Sequence, residues 1–150
     1  MPQSLTQMYV HIIFGTKYRY PFIKPEIEPE LFSFMGGIIK RLNGIPILIN
    51  GIEEHVHILS TLPKTVSLSK FVEEIKRNSS RWIKTKGLEY VDFKWQVGYA
   101  AFSVSKSKTK IVERYIARQK EHHRKQSSEN ELIGFYNVHG VNYNEQFLRD

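Results

Sequence analysis

The chain has 150 residues, 41% of them hydrophobic and 25% charged, which is enough for one soluble globular domain whose core needs no disulfide or structural metal. It contains no cysteine, which excludes a disulfide scaffold, a thiol nucleophile and any thiolate zinc or iron–sulfur site; no apolar run reaches the ~18–20 residues a bilayer span needs. The 22 Lys and Arg against 15 Asp and Glu leave a net charge of +7 and point to a polyanionic partner, most simply nucleic acid.

Met8 to Phe14 is a β-branched and aromatic run ended by Gly15, and it reads as a strand. A basic, aromatic loop follows from Thr16 to Lys24. Ile27, Leu31, Met35, Ile38, Ile39 and Leu42 then recur at spacings of three and four, an amphipathic helix with Gly44 as its C-terminal cap. Gly36 and Gly37 inside it each cost roughly 1 kcal/mol relative to Ala, a pattern that predicts close packing against a neighbour. Ile45–Ile52 and His55–Leu62 are two short apolar runs joined by Glu53 and Glu54, a hairpin. Ser67 caps a second helix with Leu68, Phe71, Val72, Ile75, Trp82 and Ile83 on one face and basic residues on the other, ended by Gly87. Val91–Val104 alternates as a strand that Gly98 bends or divides. A polar stretch, Ser103–Lys110, leads into a further basic helix, and the tail from Gln126 onward reads as a short helix with an irregular end.

The order of elements predicts an α+β domain: a ferredoxin-like, RRM-like βαββαβ sandwich with an antiparallel sheet, helices on one face and an additional C-terminal helix. The whole chain, 1–150, forms one domain, with a sheet-and-helix core over 8–105, a helix over 109–125 and a tail over 126–150.

The positive charge is concentrated. Residues 64–86 carry a net +5 and residues 106–125 a net +6, so the rest of the chain is at −4. Two basic segments on a mildly acidic body fit a strand of nucleic acid laid across them. The candidate DNA contacts are Lys70, Arg77 and Arg81 on the first basic helix and Lys106, Lys108, Lys110, Arg114 and Arg118 on the second. Tyr18 and Arg19 join them in the first loop, where aromatic and basic groups alternate.

The sharpest local motif is His55-Val56-His57. In a strand the two imidazoles project from the same side, about 7 Å apart, and can converge on one divalent cation. Alone the motif is weak, because two histidines on a polar sheet face with no ligand are the commoner outcome. Tyr115 and Gln119 lie four residues apart on the second basic helix and share a face, although a tyrosine beside Ile111 and Ile116 can also be simple core. In combination the groups gain meaning: His55, His57 and the Gln119 carbonyl oxygen supply three metal ligands, and Tyr115 stands one turn away as a nucleophile for a phosphodiester.

Five segments in this order resemble one family. YVHIIFGTKYRYPF, EEHVHIL, SLSKFVEEIKRNSSRWIK, WQVGYAAFSVS and ERYIARQKEHH, with the tail ENELIGFYNVHGVNYNEQFL, are similar to the HUH single-tyrosine transposases of bacterial insertion sequences and to the related transposases of repetitive extragenic palindromes. The resemblance spans nearly the whole chain. It implies that His55, His57 and Gln119 bind Mg²⁺ or Mn²⁺ and that Tyr115 cuts single-stranded DNA at hairpins, forming a 5′-phosphotyrosine link and a free 3′-OH. It further implies a homodimer in which the tyrosine helix can act in trans, and a cytoplasmic, nucleoid-associated protein of a bacterium or archaeon. Glu54 stands where the family pattern has Asp or Asn before the first histidine. The alternative is a non-catalytic or domesticated single-strand-binding protein of RRM-like fold, which would leave the histidine face of the sheet open. His11 reads as a packed strand residue that the sheet can bring near the site, and His122 and His123 as surface residues at a helix end.

Overall fold

The computed structural model describes residues 4–123 and 126–140; Arg124 and Lys125 of the second basic segment and residues 141–150 of the tail lie outside the described residues. The core elements follow the expected order: β1 (Tyr9–Gly15), α1 (Glu28–Arg41), β2 (Pro46–Ile52), β3 (His55–Thr61), α2 (Leu68–Ile83) and β4 (Ala100–Val104). The strands form one antiparallel sheet in the order β2-β3-β1-β4, the arrangement of a ferredoxin-like sandwich. Three further helices follow, α3 (Thr109–Ala117), α4 (Gln119–His122) and α5 (Ser128–His139).

Alternation along the strands gives the sheet two faces with different tasks. Val10, Ile12 and Phe14 of β1 and Val56 and Ile58 of β3 point into the main core. There they meet Leu31, Met35, Ile38 and Ile39 of α1 and Phe71, Val72, Ile75 and Ile83 of α2. His11 and Ile13 of β1 and His55 and His57 of β3 point the other way and are all buried. On that face Ile13, Ala100 and Phe102 pack against Leu132 and Tyr136 of α5. The sheet is therefore covered on both sides, and the histidine face is closed by the C-terminal helices.

Local chemistry sets the boundaries. The Ser67 hydroxyl accepts a hydrogen bond from the Lys70 amide at 3.1 Å and starts α2. Glu53 and Glu54 form the two-residue turn between β2 and β3, and their carbonyls accept hydrogen bonds from the amides of Ile23 and Thr16, tying the hairpin to the loop after β1. Gly51 must be glycine because a side chain there would run into the backbone of His55 across the hairpin. Gly15 is less strictly fixed: a side chain there would displace the Arg19 guanidinium and press on the Glu54 carbonyl at 3.1 Å.

Four expectations need correction. Gly36 and Gly37 do not serve a tight helix contact: a methyl at Gly36 would make ordinary contact with Pro46 at 3.9 Å, and at Gly37 it would meet nothing. The second helix ends at Ile83, before Gly87, which instead takes a φ of 155° ahead of a short 3-10 turn. The strand expected over 91–104 is reduced to Ala100–Val104 plus an isolated Thr16–Trp95 bridge. The helix expected over 109–125 is broken at Arg118, whose φ and ψ of −101° and 20° leave the helical range between α3 and α4.

The stretch before β4 is held by Lys76 of α2, whose Nζ donates to the carbonyls of Gln96 at 2.8 Å and Gly98 at 2.6 Å. Burial lowers the pKa of this ammonium from its ordinary 10.5 to about 8. The folded chain thus gives up this proton at lower pH than the unfolded chain. Above about pH 8 the unfolded state binds more protons, so the lysine's contribution to stability improves as pH rises toward 10.5. Urea denaturation of the wild type and Lys76→Met across that interval is expected to give a rising difference in unfolding free energy in favour of the wild type; parallel pH profiles would show that Lys76 keeps its ordinary pKa.

Candidate metal and tyrosine site

The site is built on the central strands. His57 lies opposite Ile13 of β1 and Asn50 of β2, and His55 opposite Gly15 and Ile52. Both imidazoles are fully buried, at 1% and 0% exposure. Their rings share one face, as strand alternation predicts, and at 5.1 Å have closed in from the strand repeat of about 7 Å. His11, diagonal to His57 on the same face, bonds its Nε2 to His57 Nδ1 at 2.8 Å. On the other ring, His55 Nδ1 is 3.3 Å from the Ser128 hydroxyl, which itself donates to the Glu54 carboxylate. The glutamate that departs from the expected Asp or Asn therefore still reaches the outer side of His55 through Ser128.

The second layer of the site comes from the C-terminal helices. Asn50 Nδ2 donates to the Ile116 carbonyl at 2.9 Å, seating the end of α3 on β2. The break at Arg118 follows immediately, yet Tyr115 and Gln119 still converge, because both reach the carboxylate of Glu131 on α5. The Tyr115 hydroxyl donates to Glu131 Oε2, and Gln119 Nε2 donates to the same oxygen at 3.0 Å. Glu131 Oε1 lies 3.1 Å from His57 Nε2, 3.2 Å from His123 Nε2 and 3.4 Å from His55 Nε2. The Gln119 carbonyl oxygen is 3.2 Å from both His55 Nε2 and His123 Nε2.

Electrostatics divide these groups sharply. Burial works against a charged Glu131, but hydrogen bonds from His123, His55 and His57 outweigh it and hold the carboxyl far below its ordinary range, so it is ionised. Burial likewise opposes a charge on His55, yet bonds to Glu131 and Glu54 raise its pKa above 6.5. His57 goes the other way, down to about 4, because burial dominates and His55 adds like-charge repulsion. His11 is also held well below the ordinary value, first by burial and then by His57. With His57 and His11 both neutral, one ring nitrogen donates and the other accepts in the bond between them. Burial, with the charge of Glu131 next, pushes the Tyr115 hydroxyl well above its ordinary value, so it is a phenol at neutral pH.

His55, His57 and Glu131 each offer one ligand atom, all within 4.8 Å of one another and all buried. Two imidazole nitrogens and a carboxylate oxygen, with an amide oxygen beside them, suit a divalent cation such as Mn²⁺ or Mg²⁺. The outer ring nitrogens of both histidines are engaged, as those of metal-binding imidazoles ordinarily are. This chain thus carries a group able to hold a metal.

Glu131 was not among the expected site residues, nor were Ser128 and Asn50, and His123 was expected at the surface. His123 instead is nearly buried against Glu131, and the His122 ring lies edge-on to Tyr115 at 4.5 Å. A signal for Glu131 existed: in the tail, Glu131, Leu132, Phe135 and Tyr136 fall on one helical stripe behind Ser127, whose hydroxyl caps α5. The expected DNA contacts are spread over both layers. Lys106, Lys108, Lys110, Arg114 and Arg118 lie exposed along α3 and its lead-in, on the helix that carries Tyr115. Arg81 is exposed on α2, where Lys70 and Arg77 pair with Glu73 and Glu74. Tyr18 is 72% exposed, while Arg19 folds back toward Gly15.

Several solved structures share this fold. A candidate transposase from Deinococcus radiodurans R1 is 20% identical and superposes with a TM-score of 0.61 over 79% of this chain and 98% of that one. A REP-associated tyrosine transposase bound to a REP hairpin is 13% identical, with a TM-score of 0.62 over 82% of this chain and 73% of that one. No curated protein matches the sequence significantly. Residues 4–119 match the family described as IS200-like transposases, and that match takes in β1, the histidine pair, the basic helix α2, Tyr115 and Gln119; the chain belongs to the IS200-like transposase family.

Proposed function

We propose that this transposase cleaves and rejoins single-stranded DNA at hairpins, with Tyr115 as the nucleophile. The observation that carries the reading is the convergence of the half-buried Tyr115 with the buried Gln119, His55, His57 and Glu131 in one cluster. Hairpin DNA as substrate class is taken from the similar REP-associated transposase, which is bound to such a hairpin. Closure of the histidine face by α3, α4 and α5 weighs against an RRM-like module, which binds single strands on an open sheet face.

The Tyr115 oxygen attacks phosphorus while its proton passes toward the acceptor it already touches, the Glu131 carboxylate. The bond from phosphorus to the 3′-oxygen breaks, and that oxygen takes up a proton to become a free 3′-OH. One phosphoester bond replaces another, so a second 3′-OH can reverse the step and join strands without ATP. Mg²⁺ or Mn²⁺ held by His55 and His57, with Gln119 and Glu131, would supply a Lewis acid for the phosphate oxygen. Lys106, Lys108, Lys110, Arg114 and Arg118 hold the strand's phosphates beside Tyr115. As a homodimer the chain can lend this helix to its partner, with 103–110 as the tether. A cytoplasmic, nucleoid-associated location goes with this activity, and no helix among the described residues is long and apolar enough to cross a membrane.

Incubated with hairpin-bearing single-stranded DNA and Mn²⁺, the wild type is expected to give a covalent protein–DNA band that survives denaturing electrophoresis. Tyr115→Phe abolishes it; a band that persists removes Tyr115 from the role. Mixing Tyr115→Phe with His57→Ala restores the band only if the tyrosine helix works in trans. His11 holds the outer nitrogen of His57, so His11→Ala is expected to weaken Mn²⁺ binding by roughly 10–100-fold in calorimetry, whereas His11→Gln, which keeps an acceptor, loses less. Equal affinities in all three proteins would exclude His11 from orienting His57.

A further inference from the structure

A cavity of about 530 Å³ opens on the α2 side of the sheet, away from the histidine cluster, between α2 and the stretch 94–99. Its size is that of a pocket for a nucleotide-sized ligand. Four cations line it, Lys17, Lys76, Arg77 and Lys94, together with Trp95 and Tyr99. The cations are not equivalent. Lys76 is committed to the carbonyls of Gln96 and Gly98, and its ammonium sits 5.0 Å from the Phe14 ring and 6.0 Å from the Tyr99 ring. It shapes the wall. Arg77 is paired with Glu73 and Glu74. Lys17 and Lys94 form no ion pair among the described residues; Lys17 lies 4.9 Å from the ring of its neighbour Tyr18, a contact that leaves its charge unneutralised.

The wall is apolar and aromatic. Trp95 is fixed edge-on against Phe14 and Phe93, each at 4.8 Å, and its indole N–H donates to Ser79. Tyr99 is partly exposed, and Val97 at the rim is 86% exposed, a large apolar side chain left in water beside lysines. Cations at a mouth and an aromatic wall within it are what an unpaired nucleotide needs: phosphate on the ammonium groups, base on the apolar side. One hydrogen bond ties the cavity lining to the strand beside the histidine pair. Gln96, which lines the cavity, accepts the Gly15 amide at 2.6 Å, and Gly15 stands opposite His55 in the sheet.

We propose that this groove is a second single-stranded DNA contact, taking one unpaired nucleotide with its base against Tyr99 and Val97 and its phosphates on Lys17 and Lys94. It rests on the reading of the chain as an enzyme of single-stranded DNA, and places part of that substrate on the face away from the nucleophile.

The test is fluorescence anisotropy of fluorescein-labelled oligo(dT) with the full chain, over a salt series and without metal. Lys17→Gln and Lys94→Gln are each expected to lower affinity and to reduce the salt slope by about 0.7, the share of one phosphate contact on a single strand. Tyr99→Ala is expected to lower affinity by about fivefold or more with little change of slope, as loss of stacking does. Unchanged affinity and slope in both lysine variants, with wild-type circular dichroism, would overturn the proposal. So would dTMP competing as well as oligo(dT), which would make the groove a free-nucleotide site, or oligo(rU) binding more tightly with the same losses, which would assign it to RNA. The covalent-band experiment is independent of this one: loss of the band with the groove effects intact overturns the nucleophile and leaves the groove standing.

Discussion

Glu131 is an ionised carboxylate in a nearly dry place, and its surroundings follow from that. Removing such a group from water costs several kcal/mol unless hydrogen bonds replace the lost hydration. Here the replacement comes from His57, His55 and His123 on one oxygen and from Gln119 and the Tyr115 hydroxyl on the other. Those partners come from β3, α3, α4 and the residue after α4, while the carboxylate itself comes from α5. One side chain thus fixes three separately folded helical pieces against the sheet, and does so through the same groups that would bind metal and attack phosphorus. The break at Arg118 is tolerable for this reason: Tyr115 and Gln119 need no continuous helix when a shared acceptor aligns them.

The sheet allows this because its two faces carry separate tasks. Along β1, Val10, Ile12 and Phe14 serve the main core, while His11 and Ile13 serve the site, and β3 repeats the division with Val56 and Ile58 against His55 and His57. Stability comes chiefly from the α1 and α2 side, so the other face can hold polar groups. The geometry there is set by backbone: Gly51 lets β2 close onto His55, and Gly15 leaves room for Arg19 and the Glu54 carbonyl. His11 and Ser128 then occupy the outer nitrogens of the two imidazoles, so that both inner nitrogens face Glu131.

What the sequence made legible is what depends on local periodicity. The strands of β1 and β3, the apolar stripes of α1 and α2 and the Ser67 cap follow from spacing alone, and the alternation rule placed His55 and His57 together. The four-strand order also follows once the hairpin and the two crossover helices are recognised. What stayed hidden depends on contacts far apart in the chain. Glu131 lies 74 residues from His57, and although it shares the apolar stripe of its helix, nothing near it in the chain marks its partners. His123 looked like a helix-end cation because its partners Gln119 and Glu131 meet it only after α5 folds back. The stretch 91–99 alternated like a strand, yet Lys76 captures its carbonyls and takes it out of the sheet before β4.

Charge, finally, is distributed by what it is paired with rather than by where lysines are most numerous. On α2, Lys70 and Arg77 are answered by Glu73 and Glu74 one turn away, so much of that segment's excess is spent within the helix. On α3 and its lead-in, Lys106, Lys108, Lys110, Arg114 and Arg118 form no ion pair among the described residues, and only Lys106 has a marked partner, the Tyr9 ring at 5.4 Å. Positive charge unanswered by ion pairs therefore runs along the helix of Tyr115. The Glu131 carboxylate beside the half-buried Tyr115 would repel a phosphodiester; under the proposed reading, the cations along the same helix would offset that repulsion.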